Sequence, residues 1–332
     1  MSELLRMLLT VLPVILALNL LDQTQDVAGV SPTCRFFTGF GPINAVNLAK
    51  SKKKELLINL STCLEANNEM DPNGFFFTGT GTIGVKEINY TGLMLAARAG
   101  LNDIAEHYIN ISGIDLNAQE PVLGWTAALL AAGNGNLGIL NVLLDIGVDI
   151  EHQAKDGTTA LIIAAMNGRS KAVRSLLKKG ANVNQRGLVQ DTALGFAARK
   201  QYDSIVDALL EFNANVNFSN EYGLTPLHWA AEVGALGIVQ TLVLHGADIS
   251  KSNKFGLTPL HMAAKNGHSS IVHFLLKKGA KIKVGPEIEK NGMCWAILGK
   301  SCATVKLLES HGGKCENDHV QREYSDLNCK GE

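Results

Sequence analysis

A Thr or its stand-in recurs at Thr91, Thr126, Thr159, Thr192, Thr225, Thr258 and Asn291, with successive gaps of 35, 33, 33, 33, 33 and 33 residues. A fixed period in this range constrains a chain severely, because each unit is too small to bury its own apolar face and must stack on its neighbours. Residues 90–314 are therefore expected to form one array of seven copies. Such an array offers an extended surface rather than an enclosed catalytic pocket.

The residues around each anchor say how a copy is built. Gly223-Leu224-Thr225-Pro226-Leu227-His228-Trp229-Ala230-Ala231 and Gly256-Leu257-Thr258-Pro259-Leu260-His261-Met262-Ala263-Ala264 are the fullest versions. Thr followed by Pro opens a helix: the hydroxyl accepts from a free first-turn N–H, and Pro at the first helical position forfeits no hydrogen bond. A Gly nine residues beyond the anchor, at Gly100, Gly135, Gly168, Gly234 and Gly267, suits a left-handed helix stop. A second helix follows, with Ile238, Val239, Leu242, Val243 and Ile271, Val272, Leu275, Leu276 at the spacing of one apolar face. It stops at Gly147, Gly180, Gly246, Gly279 or Gly312, and an Ala-Asn-Val-Asn type turn leads to the next copy, as at 181–184, 214–217 and 247–250.

Helix, tight turn, helix and hairpin loop, with Thr-Pro-Leu-His and a 33-residue period, resembles the ankyrin repeat family. The resemblance covers about two thirds of the chain and implies an all-α solenoid of stacked helix-turn-helix units with hairpin loops. Copy seven keeps the helical pattern in Asn291-Gly292-Met293-Cys294-Trp295-Ala296-Ile297 but loses Thr, Pro and His, as a terminal unit facing water on one side can. Copy four carries Gln201 and Asn213 where Gly is usual, which predicts a local irregularity near 187–217.

The flanks read differently. Residues 1–29 have the layout of a secretory signal peptide: Arg6, a largely apolar run from Met7 to Leu21, then polar residues, with a cleavage point near Ala28 and Gly29. The competing reading is an apolar helix packed on the first copy, which the intracellular habit of most ankyrin-like proteins favours. Residues 30–89 contain an internal echo, Phe36-Phe37-Thr38-Gly39 and Phe76-Phe77-Thr78-Gly79, and are expected to form an N-terminal cap in which each element makes a hairpin before a helix pair. Residues 315–332 form a polar tail. Six cysteines, Cys34, Cys63, Cys294, Cys302, Cys315 and Cys329, sit only at the two ends, where disulfides would fasten the caps in an oxidising compartment; reduced thiols are the alternative.

Composition and motifs narrow the function. Net charge is −1 and charged residues are 18%, so no broad basic face for nucleic acid is expected, and Lys52-Lys53-Lys54 reads as a solvated face. Gly79-Thr80-Gly81-Thr82-Ile83-Gly84 fits a phosphate-loop spacing, but a copy opens at Thr91 where a dinucleotide site needs a long helix and a parallel strand, so it is read as a hairpin loop. His228 and His261 occupy the same place in successive copies and are read as structural. Cys294, Cys302, Cys315 and His319 lack paired C-x-x-C spacing for zinc. No catalytic constellation, cofactor, metal, small-molecule substrate or membrane partner is expected.

The resemblance implies protein binding through the concave face and the hairpin tips. Carried onto this sequence, those places are Trp125, Lys155, Asp156, Met166, Gln190, Asp191, Arg199, Lys200, Glu221, Tyr222, Glu232, Lys254, Phe255 and Lys265. Trp125, Tyr222 and Phe255 are the sharpest candidates, because aromatic anchors often carry interface energy. The favoured expectation is a secreted, non-enzymatic adaptor, inhibitor or effector. An intracellular scaffold is the alternative; a membrane-acting toxin like the venom latrotoxins, whose large N-terminal region this sequence lacks, is a minor one.

Overall fold

A computed structural model describes the backbone of 77–80 and 87–90 and residues 91–284, 291–317, 319, 320, 322, 324 and 329. The signal-peptide reading, the Lys52–Lys54 run and most of the N-terminal cap lie outside the described residues. Two short strands, β1 (Phe77–Thr80) and β2 (Glu87–Tyr90), pair antiparallel with Phe77 opposite Tyr90. The second Phe-Phe-Thr-Gly element thus makes the expected hairpin before a helix pair. Its antiparallel pairing is also not the parallel arrangement that a dinucleotide loop requires.

Seven helix pairs follow: α1 (Gly92–Ala99) and α2 (Asn102–Ile109); α3 (Ala127–Asn134) and α4 (Leu137–Ile146); α5 (Ala160–Met166) and α6 (Ser170–Lys178); α7 (Ala193–Arg199) and α8 (Asp203–Glu211); α9 (Pro226–Val233) and α10 (Leu236–Leu244); α11 (Pro259–Lys265) and α12 (Ser269–Lys277); α13 (Gly292–Leu298) and α14 (Cys302–Ser310). Packing groups the chain into two compact units, Met1–Asp156 and Gly157–Glu332. In the first, α1 stacks on α3 and α2 on α4. In the second, α5, α7, α9, α11 and α13 stack in succession, and α6, α8, α10, α12 and α14 do likewise.

Each first helix starts as the sequence predicts. The hydroxyls of Thr91, Thr126, Thr159, Thr192 and Thr225 accept from the N–H three residues on, and the Asn291 side chain accepts from Met293. The paired alanines, such as Ala230, Ala231, Ala263 and Ala264, are fully buried and let successive first helices approach closely. A larger side chain there would overpack the stack. On the second helices Ile238, Val239, Leu242, Ile271, Val272 and Leu275 are buried, each stabilising the fold by about 1.5–3 kcal/mol. Val243 and Leu276, expected on the same stripe, are only half-buried.

The Ala-Asn-Val-Asn turns do more than tolerate a bend. The first Asn or Asp of each accepts from the N–H two residues on: Asn182 from Asn184, Asn215 from Asn217, Asp248 from Ser250. The later Asn reaches the next copy, Asn184 Oδ1 accepting from Asn215 N–H at 2.7 Å and Asn217 Oδ1 from Asp248 N–H at 2.8 Å. His228 also joins two copies. Its Nδ1 accepts from Thr225 N–H at 3.2 Å and lies 2.8 Å from the Thr225 hydroxyl, while Nε2–H donates to the Leu257 carbonyl at 3.0 Å.

Copy four is irregular, as Gln201 and Asn213 foretold. Both adopt left-handed backbone, φ 60° and 62°, where most copies place Gly; Lys300 of copy seven does the same as Gln201, at φ 55°. The hairpin before α7 departs further, with Val189 at φ 51° and Gln190 at φ 57°. Gly187 stands there where copies five and six have Asn220 and Asn253, and a Cβ on it would collide with Ile162 and crowd the Gly157 carbonyl.

Candidate partner-binding surface

The hairpins of the second unit are built from inside outward. Buried Asn220 accepts from the N–H groups of Tyr222 and Leu224 at 2.9 and 3.0 Å, and buried Asn253 does the same for Phe255 and Leu257 at 2.9 and 3.0 Å. One side chain thus closes each loop and leaves the residue at the tip no inward route. Tyr222 is 45% exposed and Phe255 65% exposed. Backbone bonds tie the tips in series, Glu221 N–H to the Val189 carbonyl at 3.1 Å and Lys254 N–H to the Tyr222 carbonyl at 3.0 Å. The Tyr222 hydroxyl engages the Glu221 carboxylate, which raises the phenol above its ordinary range.

The ends of the first helices supply a second row. Met166, Arg199, Lys265 and Leu298 are the last residues of α5, α7, α11 and α13, and Glu232 takes the same position in α9. Arg199, Lys200 and Lys265 are exposed; Met166 and Glu232 are half-buried. Two of the cations lie over a tryptophan of the following copy: the Arg199 guanidinium is 4.4 Å from the Trp229 ring centroid and Lys265 Nζ is 5.2 Å from that of Trp295. Each contact contributes about 0.5–1 kcal/mol at an exposed site and holds a long cationic side chain in a defined place.

Asp191, expected at the surface, is buried. Its carboxylate accepts from Thr192 N–H at 2.8 Å, from Trp229 Nε1–H at 2.8 Å and from Asn220 Nδ2–H at 3.5 Å. The inward turn has a local cause. With Gly187 in place of the loop-closing Asn, the space beneath this hairpin is left to Asp191, and Gly195 clears room for it, since a Cβ there would collide with the carboxylate. Burial pushes the carboxyl above its ordinary range, although the three donors and the Arg199 charge pull the other way. Asp191 therefore fixes the Trp229 indole on which Arg199 rests. Gln190 beside it remains exposed.

The first unit holds the other candidates. Lys155 and Asp156 are exposed, but Lys155 Nζ donates to the Pro121 carbonyl and its N–H to the Leu123 carbonyl, so its side chain is drawn back onto the loop. Trp125 is half-buried at the position directly before the anchor Thr, where copies three, four and five bury Thr158, Asp191 and Leu224. Tyr222 and Phe255 sit two residues earlier in their loops and differ from Trp125 in kind. The structure thus brings together, in one unit, Met166, Arg199, Lys200, Glu221, Tyr222, Glu232, Lys254, Phe255 and Lys265.

Sequence reasoning passed over Trp229 and Trp295 as surface supports. Their signal was present: each lies 30 residues after a cation, Arg199 or Lys265, at the same two positions of the repeat. The thiols weighed as zinc ligands are paired instead, Cys294 with Cys315 and Cys302 with Cys329.

Family models described as ankyrin repeats in three copies and ankyrin repeats in many copies match residues 93–187 and residues 196–243 and 227–276 respectively. Among solved structures, the ankyrin repeat domain of human ASB11 is similar at 23% identity and TM-score 0.61, over 68% of this chain and 99% of that one. No curated protein matches the sequence. Period, capping, stacking and family match agree across more than half of the sequence, and the chain belongs to the ankyrin repeat family, whose repeats are protein-interaction modules.

Proposed function

We propose that the chain is a secreted, non-enzymatic binding protein that engages a partner protein through the hairpin tips and first-helix ends of copies four to seven, acting as an adaptor, inhibitor or effector. The exposure of Tyr222 and Phe255 on loops closed from within carries this reading. Ordered aromatics cost little conformational entropy on binding, and interface hot spots favour aromatic residues and Arg. The two disulfides of the last copy favour an oxidising compartment, in line with the signal-like residues 1–29. Among the described residues no helix is long and apolar enough to cross a membrane.

Affinity capture from extracellular fluid with the full chain, beside the variant Arg199→Glu/Tyr222→Ala, tests the binding surface. A protein retained by wild type and lost by the variant, at equal thermal stability of the two baits, is the expected result. Retention by both removes this face from the function. Expression in eukaryotic cells tests the compartment: oxidised protein in the medium is expected, and uncleaved protein with free thiols in the lysate would make it an intracellular scaffold.

A further inference from the structure

At the last two copies the surface deepens into a cleft of ≈ 440 Å³. Phe255, Leu257, Trp295 and Leu298 line it from the repeats, and Asn317 and Val320 line it from the tail. Buried Cys294 completes the lining and is bonded to Cys315, just before the tail wall. The Cys302–Cys329 bond fastens the chain on the other side of Val320. The wall is thus bracketed by two covalent links to the last copy. It is a built feature of the fold.

The chemistry of the cleft is one-sided. No lining residue is ionisable, since Cys294 is held in a disulfide, and Asn317 alone brings a side-chain amide. Phe255 and Leu298 are 65% and 42% exposed, so a large apolar surface faces solvent. The rim carries more positive than negative charge: Lys265 lies over Trp295 and Lys254 precedes Phe255, while Glu316, beside Asn317 on the tail wall, is paired with Lys283 at 3.1 Å. Along the same face Arg199 and Lys200 add two more charges. The carboxylates of the two rows are Glu221, which takes the Tyr222 hydroxyl, half-buried Glu232, and buried Asp191, which is held by Thr192, Trp229 and Asn220. An excess of positive charge is thus concentrated on one face of a chain whose net charge is −1.

We infer that the cleft receives one bulky apolar side chain of a partner peptide segment whose flanking residues are acidic. This rests on the protein-binding reading above and names the chemistry of the partner. An apolar socket rewards a Leu or aromatic anchor that leaves water there. The cationic rim draws in carboxylates and rejects basic segments, an effect that weakens with salt.

The probes are short fluorescein-labelled peptides with Glu flanks and Leu, Trp or Ala at the centre, and a Leu-centred peptide with Lys flanks. Anisotropy is read against the oxidised full chain at low and high salt. The acidic Leu and Trp peptides are expected to bind at least about tenfold more tightly than the Ala and Lys-flanked peptides, the equivalent of burying one large apolar side chain. Leu298→Asp and Phe255→Ser, both at exposed positions, are expected to remove that preference without altering thermal unfolding. Equal affinity for the Leu- and Ala-centred peptides, indifference to flank charge, unchanged binding by both variants, or no binding by any acidic peptide would each overturn the inference. Capture with Leu298→Asp as bait separates its failure from that of the wider reading. A partner lost by Arg199→Glu/Tyr222→Ala yet kept by Leu298→Asp leaves the surface standing and removes the cleft; a partner kept by both removes the surface itself.

Discussion

His228 shows how much one side chain can couple. It is fully buried, and both ring nitrogens are engaged, one within its own copy and one on the Leu257 carbonyl of the next. Burial depresses its pKa from 6.5 to about 4. As pH falls, the unfolded imidazole takes up its proton before the folded one does. The contribution to stability is therefore whole above about pH 6.5 and is lost progressively down to about pH 4, by up to ~3 kcal/mol. Urea unfolding across that window should show the loss in wild type, and His228→Gln should flatten it; parallel curves would refute the assignment. Backbone conformation gives a second residue-scale prediction. Gln201 holds φ 60° where Gly is usual, so Gln201→Gly should stabilise the chain by ~0.5–1 kcal/mol, the left-handed penalty less the entropy of Gly. A third concerns Tyr108, whose buried hydroxyl has no hydrogen-bond partner among the described residues. Tyr108→Phe removes that desolvated group and should leave stability equal or higher by ~1 kcal/mol, measured by thermal melting.

At the scale of elements, the last helix pair depends on what is bonded to it. A terminal copy has a neighbour on one side only, and here α13 and α14 each carry one disulfide to the residues that follow, Cys294–Cys315 from α13 and Cys302–Cys329 from α14. The enclosed segments span 21 and 27 residues, for which loss of a cross-link costs about 3 kcal/mol in the chain-entropy view. Cys302→Ser/Cys329→Ser should therefore lower stability by ~2–4 kcal/mol. In hydrogen exchange, α14 should lose protection while α9 and α10 keep theirs, because stability in a stacked array is local. Equal loss across all these helices would show that the bridge acts on the whole unit instead. The hairpins teach the converse lesson. Asn220 and Asn253 close their loops and present the tip aromatics, whereas copy four, with Gly187 in that place, takes a strained path and turns Asp191 inward.

For the whole molecule, a secreted history would leave chemical marks. Asn110 and Asn217 each begin an Asn-X-Ser sequon, and each Nδ2–H donates to a carbonyl, of Glu106 at 2.9 Å and of Gly246 at 3.0 Å; but Asn110 is exposed on a turn, whereas Asn217 is half-buried and also accepts from Asp248 N–H, which ties it to the next copy. Protein recovered from the medium of eukaryotic cells should therefore carry glycan at Asn110 and none at Asn217, read by peptide mass after enzymatic deglycosylation. Glycan on Asn217 would mean that the inter-copy bonds of that turn form late or not at all.

The sequence by itself determined the period, the helix starts, most of the left-handed stops and the apolar faces, because each of these is a local preference repeated along the array. It also marked copy four as irregular through Gln201 and Asn213. Only the tertiary structure decided which tip residues face water, since exposure depends on the buried side chain beneath the loop. Trp125 and Tyr222 look alike in sequence, yet one is half-buried and the other stands out. Asp191 was misplaced because the groups that bind it, Asn220 and Trp229, lie 29 and 38 residues further along the chain. The cleft at the last copies was beyond sequence reasoning for the same reason: its two walls meet through disulfides whose pairing no spacing rule prescribes.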